Sequence, residues 1–296
     1  MGERLILHLP ETVTTRFLVA TDARTVPGPD YLADAVGGGG GLSRVAATLV
    51  GTPALTIEHT PPGTCRDRLR TLGGAPDRLA ELIGAARHLA VTTVADPAGQ
   101  PRHAQATRLL ARTLAAATGG VAADLDSSRL LPVDEGPPTE PDRFVPGRDW
   151  VSVFIASSEG GPSLRVETAG LHRFGLPEVM AGPVPYASML TAANLVRGLA
   201  WQLLAEHTGW ASGAAPGRIR HTAAERVVRA DDVMRFWGTR SSGGGALPLT
   251  LDWTTSTCPG CERALKVLPP GADPPTWWAE TAAEAMPKLV HAVPDP

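Results

Sequence analysis

Cysteine is scarce: Cys65, Cys258 and Cys261 are the only three in 296 residues. Three are too few for a disulfide framework. They also exclude a four-cysteine zinc site. Lysine occurs only at Lys266 and Lys288, so the 27 cationic residues are nearly all arginine, and 30 acidic residues outnumber them. The net charge of −3 leaves no basic surplus to neutralise phosphates, so no nucleic-acid partner is expected. No apolar run approaches the ~18 residues that a membrane span needs, so no membrane partner is expected either. The start, MGERLILHLPETV, carries Glu3 and too short an apolar stretch for a signal peptide, which points to a cytoplasmic chain. Tryptophan is missing from the first half; all seven fall between Trp150 and Trp278.

What is present is ordinary globular material. The hydrophobic fraction of 43% leaves ample residues for a core. The length fits two domains of about 100–200 residues each. Abundant Ala, Gly, Pro and Arg suggest a high-GC bacterial genome. The stretch PVDEGPPTEPDRFVPG is rich in proline and acid, which prevents helix or central strand. The expected organisation is therefore an N-terminal domain at 1–132, a linker at 133–148 and a tryptophan-containing C-terminal domain at 149–296.

Short strands are expected at Arg4–Leu9, Arg16–Thr21, His88–Asp96 and Val121–Leu125, with helices at Pro76–Arg87 and Pro101–Thr118. Gly119-Gly120 is placed to end the second helix. Strand, helix, strand from His88 to Leu125 reads as a βαβ unit. Further on, Trp150–Ala156 and Ser163–Thr168 read as a hairpin. Tyr186–Glu206 is the clearest helix, with Met189, Ala192, Leu195, Val196, Leu199 and Leu203 on one face. Arg218–His221, Val227–Arg229 and Leu247–Trp253 are expected strands, and Thr276–Leu289 an expected helix. Strands and helices mix without regular alternation. The expected class is α+β, two domains, each a mixed or antiparallel sheet with helices packed on it, with ferredoxin-like βαβ elements.

Thr168, Gly170, Leu171, Phe174, Gly175, Leu176, Pro177 and Glu178 spell TxGLxxFGLPE. This segment, between a strand and a long helix, resembles one in a family of bacterial proteins known as a domain of unknown function. The resemblance covers roughly His88 to Gly213 and implies no activity. The residues have their own reading. Gly170 and Gly175 flank a turn, Leu171 and Phe174 point to the core, and His172 and Arg173 face water. A ligand-binding loop at this corner would use His172, Arg173 and Glu178.

The other feature is TSTCPGC, which is not part of that family pattern. Cys258 and Cys261 stand three apart after a strand, and CERALKVL after them has helical spacing. A Cys-x-x-Cys pair opening a helix is the thioredoxin-type arrangement. The helix N-terminus would lower the thiol pKa and make Cys258 the nucleophile. A metal reading needs more ligands, and the spacing singles out none, so no metal ligand is assigned. A nucleoside-deaminase reading lacks His-x-Glu upstream. The run Gly37–Gly41 lacks the Gly-Lys-Ser/Thr of a phosphate loop. His221 and Glu225 at i, i+4, and Asp231-Asp232, read as surface pairs. No motif names a cofactor, and the partner, whether protein or small molecule, is not identified.

No catalytic set is complete, so the leading expectation is a non-catalytic binding or interaction protein. The alternatives are a thiol- or metal-dependent enzyme using Cys258 and Cys261, and a hydrolase or transferase whose site is assembled from dispersed residues between the domains.

Overall fold

The computed structural model describes residues 3–61, 69, 72–133, 136–158, 161–211, 219–241, 243–258, 261–271 and 273–289. Cys65 lies outside them. The fold is α+β. The chain forms two compact units, one of residues 12–144 and one of residues 1–11 with 145–296. No helix among the described residues is long and apolar enough to cross a membrane.

β1 (Arg4–His8) turns Leu5 and Leu7 inward. The first compact unit then starts with β2 (Val13–Thr21). Two helices follow, Pro29–Gly37 and Gly41–Leu49, and the five-glycine run is the joint between them. Next come β3 (Leu55–Thr60), a helix at Pro76–Gly84, β4 (Arg87–Ala95), a helix at Arg102–Thr118, β5 (Val121–Asp124) and β6 (Arg129–Leu130). The sheet order is β3-β4-β2-β5-β6. β2 is antiparallel to both β4 and β5. β4 and β5 therefore run the same way with β2 between them, a split form of the expected βαβ unit.

β2 is buried because helices cover both faces of its sheet. Its successive side chains alternate between them. Leu18 and Ala20 join Leu82, Val121 and Ala123 in one core cluster. The helix Arg102–Thr118 packs on β2, β4 and β5, with Ala106, Leu109, Leu110 and Leu114 buried. Ala117, three residues after Leu114, is exposed. Gly119 ends the helix in the left-handed conformation (φ 60°), as its sequence position predicted.

The second unit continues with β7 (Ser152–Ser157), β8 (Leu164–Ala169), β9 (Glu178–Val184), a helix at Met189–Ala211, β10 (Ile219–Ala223) and β11 (Glu225–Arg229). A short helix at Ala230–Phe236, β12 (Ala246–Thr255) and β13 (Arg263–Leu268) follow. Pro274–Thr276, Trp277–Ala282 and Ala283–Ala285 form a last helical stretch. It ends before Pro287 and falls short of the predicted Leu289. The six-stranded sheet has the order β11-β12-β13-β9-β8-β7. Every neighbouring pair is antiparallel except β13 with β9. The helix Met189–Ala211 lies on this sheet, and Leu195, Val196, Leu199 and Leu203 are fully buried.

Several expectations need correction. β1 pairs antiparallel with β10, so the first eleven residues join the second unit and not the domain expected at 1–132. The stretch expected as a linker at 133–148 is divided between the units, and Glu140 and Pro141 are tied to the helix Arg102–Thr118. The segment after Cys261 is the strand β13, not a helix. His221 and Glu225 sit on successive strands, so they share no helical face. Asp231 and Asp232 open the helix Ala230–Phe236, where Asp231 pairs with Arg235 at 2.6 Å and Asp232 accepts the Arg229 N–H.

One buried group in this unit has a consequence for stability. His207 is 3% exposed, and neither ring nitrogen has a hydrogen-bond partner among the described residues. Burial and then the nearby Arg220 charge push its pKa down from 6.5 to about 4. The unfolded chain takes up the proton first as pH falls, because the folded value lies below the unfolded one. Stability is therefore complete above about pH 7 and is lost between 6.5 and about 4. The expected loss from this group at pH 4.5 is about 2–3 kcal/mol. Urea midpoints at pH 7 and pH 4.5 check it: His207→Leu should flatten the pH dependence relative to the parent, and an unchanged slope would assign the loss to other groups.

Candidate metal centre

Parallel pairing of β13 with β9 builds the site. Ala264 of β13 lies beside Glu178 of β9. The starts of two parallel strands share one end of a sheet. The loop into β9, residues 170–177, therefore meets residues 256–258 and 261–262, which lead into β13. The TxGLxxFGLPE corner and the CPGC loop, far apart in sequence, are neighbours for this reason.

The first loop is a turn held by glycine. Gly170 has φ 116° and Gly175 φ 76°, and Leu171–Phe174 form one 3-10 turn between them. A Cβ on Gly170 would come within 2.2 Å of the Trp150 carbonyl oxygen, so no side chain fits there. Leu171 and Phe174 are buried, as expected. Arg173 is not: expected to face water, it is fully buried, with its guanidinium 5.4 Å from the Trp150 ring centroid. That stacking, possible only with the ring beside the turn, takes Arg173 away from the loop surface.

Glu178 organises the turn. Its carboxylate is fully buried. Oε1 accepts the Gly170 N–H at 3.0 Å, the His172 N–H at 3.1 Å and the His172 Nδ1–H at 2.9 Å. Oε2 accepts the Thr168 hydroxyl at 2.7 Å. Thr168 Oγ1 in turn accepts the Val179 N–H at 2.8 Å. The charge is thus satisfied by fixed donors in the interior.

A second buried carboxylate anchors the cysteine loop. Glu167 accepts the Ser256 hydroxyl at 2.7 Å, the Thr257 hydroxyl at 2.5 Å and the Thr257 N–H at 3.2 Å. Ser256 Oγ accepts the Cys258 N–H at 3.0 Å. The Cys261 N–H closes the turn on the Cys258 carbonyl at 3.0 Å. Nothing in the sequence marks Glu167, since a lone Glu on a strand reads as a solvent-facing residue.

The result is a cluster of His172, Glu178, Cys258 and Cys261, each with one metal-capable atom, all within 4.8 Å of one another. Cys258 and Cys261 are free thiols, half-buried. Cys261 Sγ lies 4.0 Å from Glu178 Oε1. Of the residues singled out in the sequence, Cys258, Cys261, His172 and Glu178 come together and Arg173 does not.

The electrostatics differ from the thioredoxin-type expectation. The Cys258 thiol is pushed well above its ordinary pKa, first by a hydrogen bond with Cys261, then by burial, with the Glu178 charge adding; His172 opposes. No helix begins here to lower it. A thiol held this way is a weak nucleophile at neutral pH. A cation held here would supply the charge that makes it a thiolate, since coordinating thiols are deprotonated outright. The donor types also suit a borderline-soft ion: two sulfurs and an imidazole nitrogen select zinc-class metals over magnesium or calcium. No family model, curated protein or solved structure matches this chain.

Proposed function

We propose that the second unit is a metal-binding module holding one zinc-class divalent ion at the Cys258–Cys261 loop and His172. The observation that carries this reading is the convergence of four metal-capable residues from two loops within 4.8 Å. Each loop has its own buried carboxylate anchor, Glu178 for one and Glu167 for the other, so the ligands are held before any ion arrives. The reading keeps the leading expectation from the sequence, a binding protein, and makes it specific: what is bound is an ion. It also keeps the metal-dependent alternative open on the same residues. Free thiols in this arrangement suit a reducing compartment, which supports a cytoplasmic setting.

Metal analysis on the purified full chain tests it. One equivalent of zinc is expected per chain. Cys258→Ser and Cys261→Ser should each lose it, and a chelator should lower the melting temperature of the parent but not of the variants. A thiol-redox reading rests on the two free thiols lying together in this cluster. A metal-free protein whose two thiols form a disulfide that cycles with reductant would replace the metal reading with that one.

A further inference from the structure

We infer that the metal is held by three protein donors, Cys258 Sγ, Cys261 Sγ and His172 Nε2, and that its fourth position is open to a small exogenous ligand. This rests on the metal-binding reading above and deepens it.

The inference turns on what Glu178 is already doing. A carboxylate has about four lone-pair sites over its two oxygens. Oε1 already accepts three N–H groups, two from backbone and one from the His172 ring. Oε2 is engaged by the Thr168 hydroxyl. Oε1 is the oxygen nearer the sulfurs, with Cys261 Sγ at 4.0 Å. Ligating an ion through it would cost the hydrogen bonds that fold the 170–175 turn. Glu178 is instead the partner that metal-bound histidines commonly have, a carboxylate fixing tautomer and ring orientation. With Nδ1 donating to Glu178, Nε2 is the ring nitrogen left to ligate, on a residue that lies in one cluster with both cysteines.

Two cysteines and one histidine are a three-donor set. Structural zinc sites close with four protein ligands, whereas three leave one tetrahedral position for water or substrate. Exposure agrees. Glu178 is sealed off, while the His172 side chain is 16% exposed and both cysteines are half-buried. The cluster is thus sealed at Glu178 and less so at its other three members. No other His, Cys, Asp or Glu joins the cluster among the described residues. The ligand class is a small monodentate donor: water at rest, displaced by a small anion or thiol.

Cobalt-substituted full-length protein provides the test, with azide and 2-mercaptoethanol as probes. Tetrahedral cobalt bands with thiolate charge transfer are expected, and both probes should shift the bands saturably. Cys65→Ser should give the same spectrum and the same shifts. Glu178→Gln should keep two sulfur donors in the charge-transfer band while binding cobalt about 10–100-fold more weakly. Bands that neither probe moves would overturn the open position. So would a Cys65→Ser variant that loses a sulfur donor, which would mean a closed three-cysteine site. If Glu178→Gln does not fold, the probe titrations on the parent decide alone. A parent that takes up no cobalt or zinc removes the metal-binding reading itself, an outcome distinct from a metal that binds but admits no ligand.

Discussion

Gly170→Ala is expected to cost about 2–6 kcal/mol and to abolish metal uptake. The backbone there has φ 116°, outside the region that L side chains accept, which costs of order 1–3 kcal/mol. The new Cβ would also meet the Trp150 carbonyl oxygen at 2.2 Å. Backbone cannot swing aside as a side chain can, so overpacking adds about 1–3 kcal/mol. The same shift would pull the Gly170 N–H off Glu178 and loosen the hydrogen bonds that orient His172. Gly175→Ala is the control. Its φ of 76° and ψ of 18° are ordinary left-handed helix, and the cost should be about 1–2 kcal/mol. Urea unfolding and zinc content of the two variants separate the effects. If Gly170→Ala is no less stable than Gly175→Ala and keeps its zinc, the close approach to Trp150 is not what fixes the turn.

Both halves of the site were legible as separate motifs, and their meeting was not. TxGLxxFGLPE declares itself by two glycines around a short turn, and CPGC by its spacing. What joins them is the register of β13 on β9, between residues more than eighty positions apart. No local pattern encodes a parallel pairing over that distance. β13 reads as a helix in the sequence for a physical reason. It lies inside the sheet with neighbours on both edges, and Ala264, Leu265 and Val267 are all buried. Burial of successive residues erases the period-2 alternation of a half-exposed strand. Ala264, Leu265 and Leu268 then mimic helical spacing. The helix Met189–Ala211 is legible because its buried face repeats over about four turns, from Ala192 to His207, and only its boundaries differ. The same limit applied to β1. Its alternation was readable, but its partner, β10, lies more than two hundred residues away. Arg173 reads as solvent-facing because a charged residue in a glycine turn defaults to solvent, and the Trp150 ring that covers it lies more than twenty positions away.

Glu140→Ala is expected to destabilise the first unit by about 3–5 kcal/mol, the usual consequence of removing one partner of a buried ion pair. The Glu140 carboxylate is 1% exposed, and the side chains of Arg108 and Arg112 are 8% and 11% exposed. Arg108 grips it from two nitrogens: Nε bonds Oε2 at 2.9 Å, and Nη2 bonds Oε1. Arg112 approaches Oε2 at 3.4 Å and donates to the Thr139 carbonyl at 2.6 Å. Gln105 donates to the Pro141 carbonyl at 2.8 Å. Residues 139–141 are thus strapped along the helix Arg102–Thr118. Alanine at 140 leaves Arg108 buried without its carboxylate, and that desolvated charge is the source of the cost. The pair itself need not be strongly favourable. Arg108→Met with Glu140→Leu removes both charges and should recover most of the loss. Limited proteolysis gives an independent readout. The parent should resist cutting at 139–141, although its sequence looks like an open linker, and Glu140→Ala should be cut there first. A Glu140→Ala variant within about 0.5 kcal/mol of the parent, with the same cleavage pattern, would mean that the strap is surface decoration and that the first unit is held by its sheet and helices alone.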